Sequence, residues 1–210
     1  SDAEIERIRP LDVLPVFLDL KAKKCVVAGG SDAAAWKAEL LAAAGASVEV
    51  IAPSAALSAE MQALLSGRTN VRHYEGRWSQ TFLEGAAVAI LDPGDDAEAR
   101  SFEAAARAAG ASCNVIDKPA YCHFQFGSIV NRSPVVIGIS TAGAAPILGQ
   151  AVRRRIETLL PPTLVEWAKL ARGLRDTVIE RLAPGLQRRA FWEKLVDRAF
   201  GPAPTPYAIA

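Results

Sequence analysis

Two histidines, three cysteines and one methionine are all that this 210-residue chain offers to a soft metal ion. The cysteines, Cys25, Cys113 and Cys122, include no Cys-x-x-Cys pair, which argues against structural zinc and against a disulfide framework. His123 stands beside Cys122, and neighbouring side chains on a strand point to opposite faces, so the two make a poor chelating pair. His123 therefore reads as a packed or surface histidine, His73 as a structural one, and no metal ligand is assigned. An excess of one charge is also missing, with 24 Lys and Arg against 23 Asp and Glu. No broad polyanion-binding surface follows, and nucleic acid is not an expected partner. No apolar run approaches the roughly 18 residues that span a bilayer, so no membrane partner is expected either. The opening Ser-Asp-Ala-Glu-Ile-Glu-Arg is polar and acidic, unlike a secretory leader, and the cytoplasm is the expected compartment. What is present is a globular composition, 50% hydrophobic and 22% charged, in a chain long enough for one large or two small domains.

The chain is organised around Cys25 to Gly45. An apolar run from Cys25 to Ala28 reads as a buried strand, and Gly29, Gly30 and Ser31 as a tight turn. An Ala-rich helix from Asp32 is stopped by Gly45, and Val48 to Ala52 is a second strand. Such a βαβ unit presents small residues and a helix N-terminus to a phosphate group. Against the dinucleotide pattern Gly-x-Gly-x-x-Gly/Ala, Gly29 and Ala34 fit while Ser31 stands at the middle glycine. No acid closes the second strand, which runs out through Ile51, Ala52, Pro53 and Ser54. A βαβ unit without a ligand remains the other reading of this stretch.

Further on, Ala56–Leu65 is predicted as a helix, Val71–Tyr74 as a strand, Ser79–Leu83 as a helical turn and Ala86–Leu91 as a strand. A helix over Ala97–Ala109, capped by Asp95 or Asp96, and a strand over Ser112–Ile116 follow. Five strands alternating with helices predict an α/β fold, a Rossmann-like parallel sheet. Leu14 to Leu20 is expected to pack over the sheet edge. Phe124–Asn131 and Pro134–Ser140 form an antiparallel hairpin, and the remainder is helical with breaks at Pro161-Pro162 and Pro184-Gly185. Three regions result: a Rossmann-like domain over 1–118, a central hairpin region over 119–150 and a helical domain over 151–210. The tail from Gly201 to Pro206 has linker composition, expected of a frayed end or a junction with a following domain.

Asp117 ends the fifth strand, where doubly wound sheets bind ligands, and is a candidate general base; a cap or a partner for Lys118 is the alternative. Thr141 to Ala145 is a second small-residue turn before a helix, either an anion site or a plain connection. Arg153, Arg154 and Arg155 are either a solvated helix face or receivers of substrate carboxylates.

Several motifs together resemble the siroheme synthases. These are Leu14-Pro15-Val16-Phe17-Leu18, the loop from Val27 to Lys37, Cys113-Asn114-Val115-Ile116-Asp117-Lys118-Pro119, Ser128 to Pro134, Ile139 to Pro146, and Arg188 to Lys194. Their order and spacing match over nearly the whole chain. The resemblance implies the N-terminal module, a precorrin-2 dehydrogenase and sirohydrochlorin ferrochelatase. In that family NAD takes a hydride from precorrin-2 to give sirohydrochlorin, and the same pocket inserts Fe2+, a substrate, to give siroheme. It implies Asp117 as the catalytic base, NAD contacts at Gly29, Gly30, Ser31, Asp32, Ala33, Pro53 and Ser54, and Thr141 at a phosphorylated position. It further implies a homodimer with an interlocked hairpin and helices, and in many members a C-terminal methyltransferase domain that this sequence does not include. Ser31, Trp36, Pro93-Gly94, Ala142 and Ala145 depart from the family pattern. They leave two alternatives, a chelatase without dehydrogenase activity and a non-catalytic tetrapyrrole- or nucleotide-binding regulator.

Overall fold

The structure is a computed structural model and describes residues 8–206. It divides into two compact units. One is Val16–Gln125; the other runs from Phe126 onward and includes the described residues before Val16.

The first unit is a five-stranded sheet. Its strands are β1 (Lys24–Ala28), β2 (Ser47–Ile51), β3 (Val71–Tyr74), β4 (Val88–Leu91) and β5 (Ser112–Val115), all parallel and in the order β3-β2-β1-β4-β5. Four helices connect them: α1 (Asp32–Ala43), α2 (Ala59–Gly67), α3 (Gln80–Leu83) and α4 (Asp96–Ala108). The strands read as unbroken apolar runs because both faces of a parallel sheet are covered. On one face Val26, Ala28, Ala89, Leu91, Cys113 and Val115 bury against Ala99, Phe102 and Ala106 of α4. Phe102 is fully buried and meets Trp78 edge to face, with ring centroids 4.9 Å apart; replacing such a side chain by Ala costs about 3–5 kcal/mol. The alternate residues, Cys25, Val27, Val50, Val88 and Ile90, are equally buried. α1 lies on β1, β2 and β4 through Ala34, Ala38 and Leu41, whose spacing puts one row of mostly small side chains on the sheet.

Two local expectations shift. The predicted helix at Ala56 begins at Ala59, because Ser58 accepts the Met61 amide and so becomes its cap; a 3-10 turn, Ser54–Ala56, precedes it. The apolar run before β1 does not cover the sheet edge: Leu14, Val16, Phe17 and Leu18 are each more than half exposed, and only Leu20 is buried. The β5 edge is covered instead by residues 122–124. The Cys113 amide donates to His123 Nδ1 (3.2 Å) and its carbonyl accepts the His123 amide (2.8 Å). Cys122 Sγ accepts the Val115 amide and donates to its carbonyl, both at 3.2 Å, and Asn114 Nδ2 donates to the Phe124 carbonyl. A thiol and an imidazole thus satisfy the groups that an edge strand leaves open.

The second unit holds the antiparallel pair β6 (Ser128–Arg132) and β7 (Val135–Ile139), then α5 (Pro146–Leu159), α6 (Leu164–Arg181) and α7 (Leu186–Ala199). Leu164, Trp167 and Ala199 form its core, with Leu160, Leu170 and Leu195 against them. Two motif arginines cap helices, whose last carbonyls lack intrahelical partners. Arg132 Nε and Nη2 donate to the Leu160 carbonyl at 3.2 Å, and Arg188 donates to those of Leu182 and Ile179. The start of the proline-rich tail is tied down rather than frayed: Thr163 Oγ1 and Trp167 Nε1 each donate at 2.8 Å to the carbonyls of Gly201 and Pro202. Among the described residues no helix is long and apolar enough to cross a membrane.

Candidate functional site

β1 lies between β2 and β4, so the chain order reverses beside it, and the turn after β1 opens at that switch point. Gly29 has φ +129°, and a Cβ there would sit 2.7 Å from Asp92 Cβ; a Cβ on Gly30 would sit 2.6 Å from the Ala56 carbonyl oxygen. Only glycine lets this turn lie against both the end of β4 and the 3-10 turn after β2. Ser31 replaces a glycine but serves as the N-cap of α1: its Oγ accepts the Ala34 amide at 3.2 Å, and its carbonyl the Ala35 amide. The amides of Asp32 and Ala33 come before the first helical acceptor, so the α1 N-terminus keeps two donors and the positive end of its dipole at the turn. That donor set fits a pyrophosphate.

Around the turn stand the ends of four other strands. Past β2, Ser54 donates its amide to both Glu75 carboxylate oxygens (2.9 and 3.2 Å) and its hydroxyl to one of them. These bonds hold the Glu75 carboxyl below its ordinary value. Past β4 comes Asp92, beside Gly29. Past β5 comes Asp117, exposed and at φ +58°, in a turn closed by the Lys118 amide on the Val115 carbonyl. The left-handed region costs roughly 1–2 kcal/mol per ordinary residue, and Asp is among the few that visit it; such conformations gather at functional positions. Lys118 pairs at 2.5 Å with Asp96, not with Asp117. Lys37, on α1, is half-buried with its ammonium 4.6 Å from the Trp36 ring centroid. Burial lowers its pKa, and the charges of Asp117 and then Cys122 oppose that shift. α1 therefore brings a cation into the field of the candidate base. Neither Lys37 nor Glu75 was picked out by the sequence reading, because each meets its partner across the sheet's end.

Thr141 and the arginine run belong to the second unit. Thr141 is half-buried, with Oγ1 donating to the Ala145 carbonyl at 3.4 Å. Arg153 pairs with Glu157 at 2.8 Å, whereas Arg154 and Arg155 are exposed. Successive helical residues lie about 100° apart, so the three do not form one face.

A parallel sheet with a glycine turn feeding a helix at its switch point defines a Rossmann-type nucleotide-binding domain, and residues 16–128 match the NAD(P)-binding family model NAD_binding_7. Residues 163–203 match the sirohaem synthase dimerisation region. The chain belongs to this NAD(P)-binding family. It is 41% identical over 185 residues to the siroheme synthase of Thiobacillus denitrificans, covering 88% of this chain and 38% of that one. It is 35% identical over 190 residues to that of Nitrosomonas eutropha, covering 90% and 40%. The chain thus spans about two fifths of the length of those relatives. A solved structure named SirC, precorrin-2 dehydrogenase, has the same fold, with a TM-score of 0.64 at 21% identity over 88% of each chain.

Proposed function

We propose that this module oxidises precorrin-2 to sirohydrochlorin with NAD as the hydride acceptor and Asp117 as the base, and that it then inserts ferrous iron. The observation that carries the reading is Asp117, a strained, exposed carboxylate at the same sheet end as the glycine turn. Two strand spacings separate β1 from β5, about 10 Å, within the reach of one extended cofactor. NAD, when bound, supplies the two-electron sink. The oxidation removes a hydride and a proton, and Asp117 accepts the proton at its carboxylate. Gly29, Gly30, Ser31, Asp32 and Ala33 line the pyrophosphate, with Pro53 and Ser54 toward the adenosine. In chelation, iron displaces two pyrrole protons, and the same exposed carboxylate takes the first, passes it to solvent and then takes the second.

Arg154 and Arg155 supply guanidinium groups for the carboxylates of the tetrapyrrole; Arg153, already paired, contributes less. The protein works as a homodimer in the cytoplasm. An apolar groove of about 340 Å³, lined by Val135, Leu164, Trp167, Leu195 and Phe200, falls largely in the segment that matches the dimerisation region. Thr141 is the site of regulatory phosphorylation, and a methyltransferase domain follows in the full-length protein.

The test is anaerobic turnover of precorrin-2, followed by absorbance with and without NAD, in wild type and Asp117→Asn. Sirohydrochlorin should form only with NAD, and the variant should be slower by about 10²–10⁴-fold, the usual contribution of a positioned base. Equal rates in the two proteins would remove Asp117 from the mechanism. Iron insertion into supplied sirohydrochlorin without any precorrin-2 turnover would leave a chelatase alone.

A further inference from the structure

In dinucleotide-binding folds the acid that holds the adenosine ribose usually comes from the end of β2 itself. Here that end is Ile51-Ala52-Pro53-Ser54, with no acid. The neighbouring strand supplies one. β3 runs parallel to β2 with Ile51 opposite Tyr74, and the two chains stay joined beyond the strands. Ala52 donates to the Tyr74 carbonyl at 3.2 Å and accepts from the Gly76 amide at 3.4 Å. Glu75, between them, reaches across to the Ser54 amide and hydroxyl. Ser54 opens the 3-10 turn whose Ala56 carbonyl lies against Gly30, and the Ser58 amide donates to the Gly30 carbonyl at 2.8 Å. The Glu75 carboxylate is therefore anchored on the loop that borders the glycine turn, although it is distant from that turn in sequence.

Resting on the reading that this module binds NAD, we infer that Glu75 accepts an adenosine ribose hydroxyl and makes the site prefer NAD to NADP. An ionised carboxylate only accepts hydrogen bonds and has about four lone-pair positions, so the three contacts to Ser54 leave about one for a ribose hydroxyl. The residue is exposed and reachable. The same charge repels a 2′-phosphate. Arg77, two residues on, is the arginine nearest to Glu75 in sequence; it is exposed, with no hydrogen bond or ion pair among the described residues, whereas His73 is already engaged, its Nε2 2.7 Å from the Ala52 carbonyl oxygen. An anchored carboxylate outweighs an unanchored guanidinium, because the latter must lose its rotamer freedom on binding.

Calorimetric titration of the whole chain with NAD and with NADP, in wild type, Glu75→Gln and Glu75→Asp, tests this. Wild type should bind NAD at least about tenfold more tightly than NADP, since a hydrogen bond to a charged group is worth roughly 1.5–3 kcal/mol. Glu75→Gln should weaken NAD by about tenfold and bring the two nucleotides within about threefold of each other, because the repulsion is gone. Glu75→Asp keeps the charge and should keep the preference while losing affinity. Should Glu75→Gln fail to fold, the preference measured in Glu75→Asp decides: its loss would count against Glu75 as the determinant. Equal weakening of both nucleotides in Glu75→Gln would reduce Glu75 to a support for Ser54 and overturn the inference. So would a wild type that prefers NADP, which would assign the site to Arg77. Wild type that binds neither nucleotide would overturn the NAD reading, and this one with it.

Discussion

Replacing Gly30 by Ala adds one methyl group, and the surroundings determine its effect. The new Cβ would stand 2.6 Å from the Ala56 carbonyl oxygen and 3.0 Å from both the Ala56 carbonyl carbon and Leu57 Cα. All three are backbone atoms of a segment held by the Ser58–Gly30 and Ser54–Glu75 hydrogen bonds. No flexible side chain can turn aside, so the 3-10 turn has to withdraw by most of an ångström. Overpacking of this kind costs about 1–3 kcal/mol, to which the stretched Ser58 bond adds. Gly67 provides the control. It ends α2 with open space around it, and Ala there should stabilise by up to about 0.5–1 kcal/mol through helix propensity. Urea unfolding of both variants, with calorimetric NAD titration, measures the effect: the same methyl group should lower the midpoint at 30 and raise it at 67. Only the first should weaken NAD, because only it displaces the loop bordering the turn. Gly30→Ala at wild-type stability and affinity would refute the argument, since it would mean the turn and the 3-10 segment are not in enforced contact.

Two further outcomes follow from the titratable groups. Hydrogen bonds from His123 (2.8 Å) and Arg107 hold the Glu103 carboxyl below its ordinary value of 4.5. A depressed folded-state pKa stabilises the fold above the unfolded value, and that stabilisation disappears as pH falls through the folded one. Wild type should therefore lose stability on acidification below about 4.5 more steeply than Glu103→Gln, as urea midpoints from pH 6 to 3 would show; parallel curves would exclude the pair as a contributor. Burial raises the Cys25 thiol to about 11 and the Cys113 thiol to about 12. Both should resist iodoacetamide at pH 8.5 in the folded protein and react once it is unfolded in urea, since the thiolate is the nucleophile. Mass spectrometry finding either one alkylated before unfolding would contradict their burial.

The order and type of nearly every element were legible in the sequence because their signals are local. Apolar runs of four or five residues mark the parallel strands, and Ser31 and Asp95 announce helix starts through the amides that they cap. The glycine turn and Asp117 were likewise found from their positions after apolar runs. The exposed Leu14 to Leu18 was misread because hydrophobicity says that a segment favours burial but not which surface will bury it. The tertiary structure alone decided the contacts made across the sheet's end and edge. Glu75 lies 21 residues from Ser54, and no spacing rule connects them; they meet because β3 pairs with β2 in one register. Lys37 comes under the influence of Asp117 through the way α1 lies over the sheet. His123 and Cys122, a poor chelating pair by their adjacency in sequence, are hydrogen-bonding partners of a strand edge, because the chain doubles back there along β5. Backbone preference and side-chain periodicity are properties of neighbours in the chain, whereas strand order and register are set by the whole core. The residues that surround the glycine turn are brought together by the second.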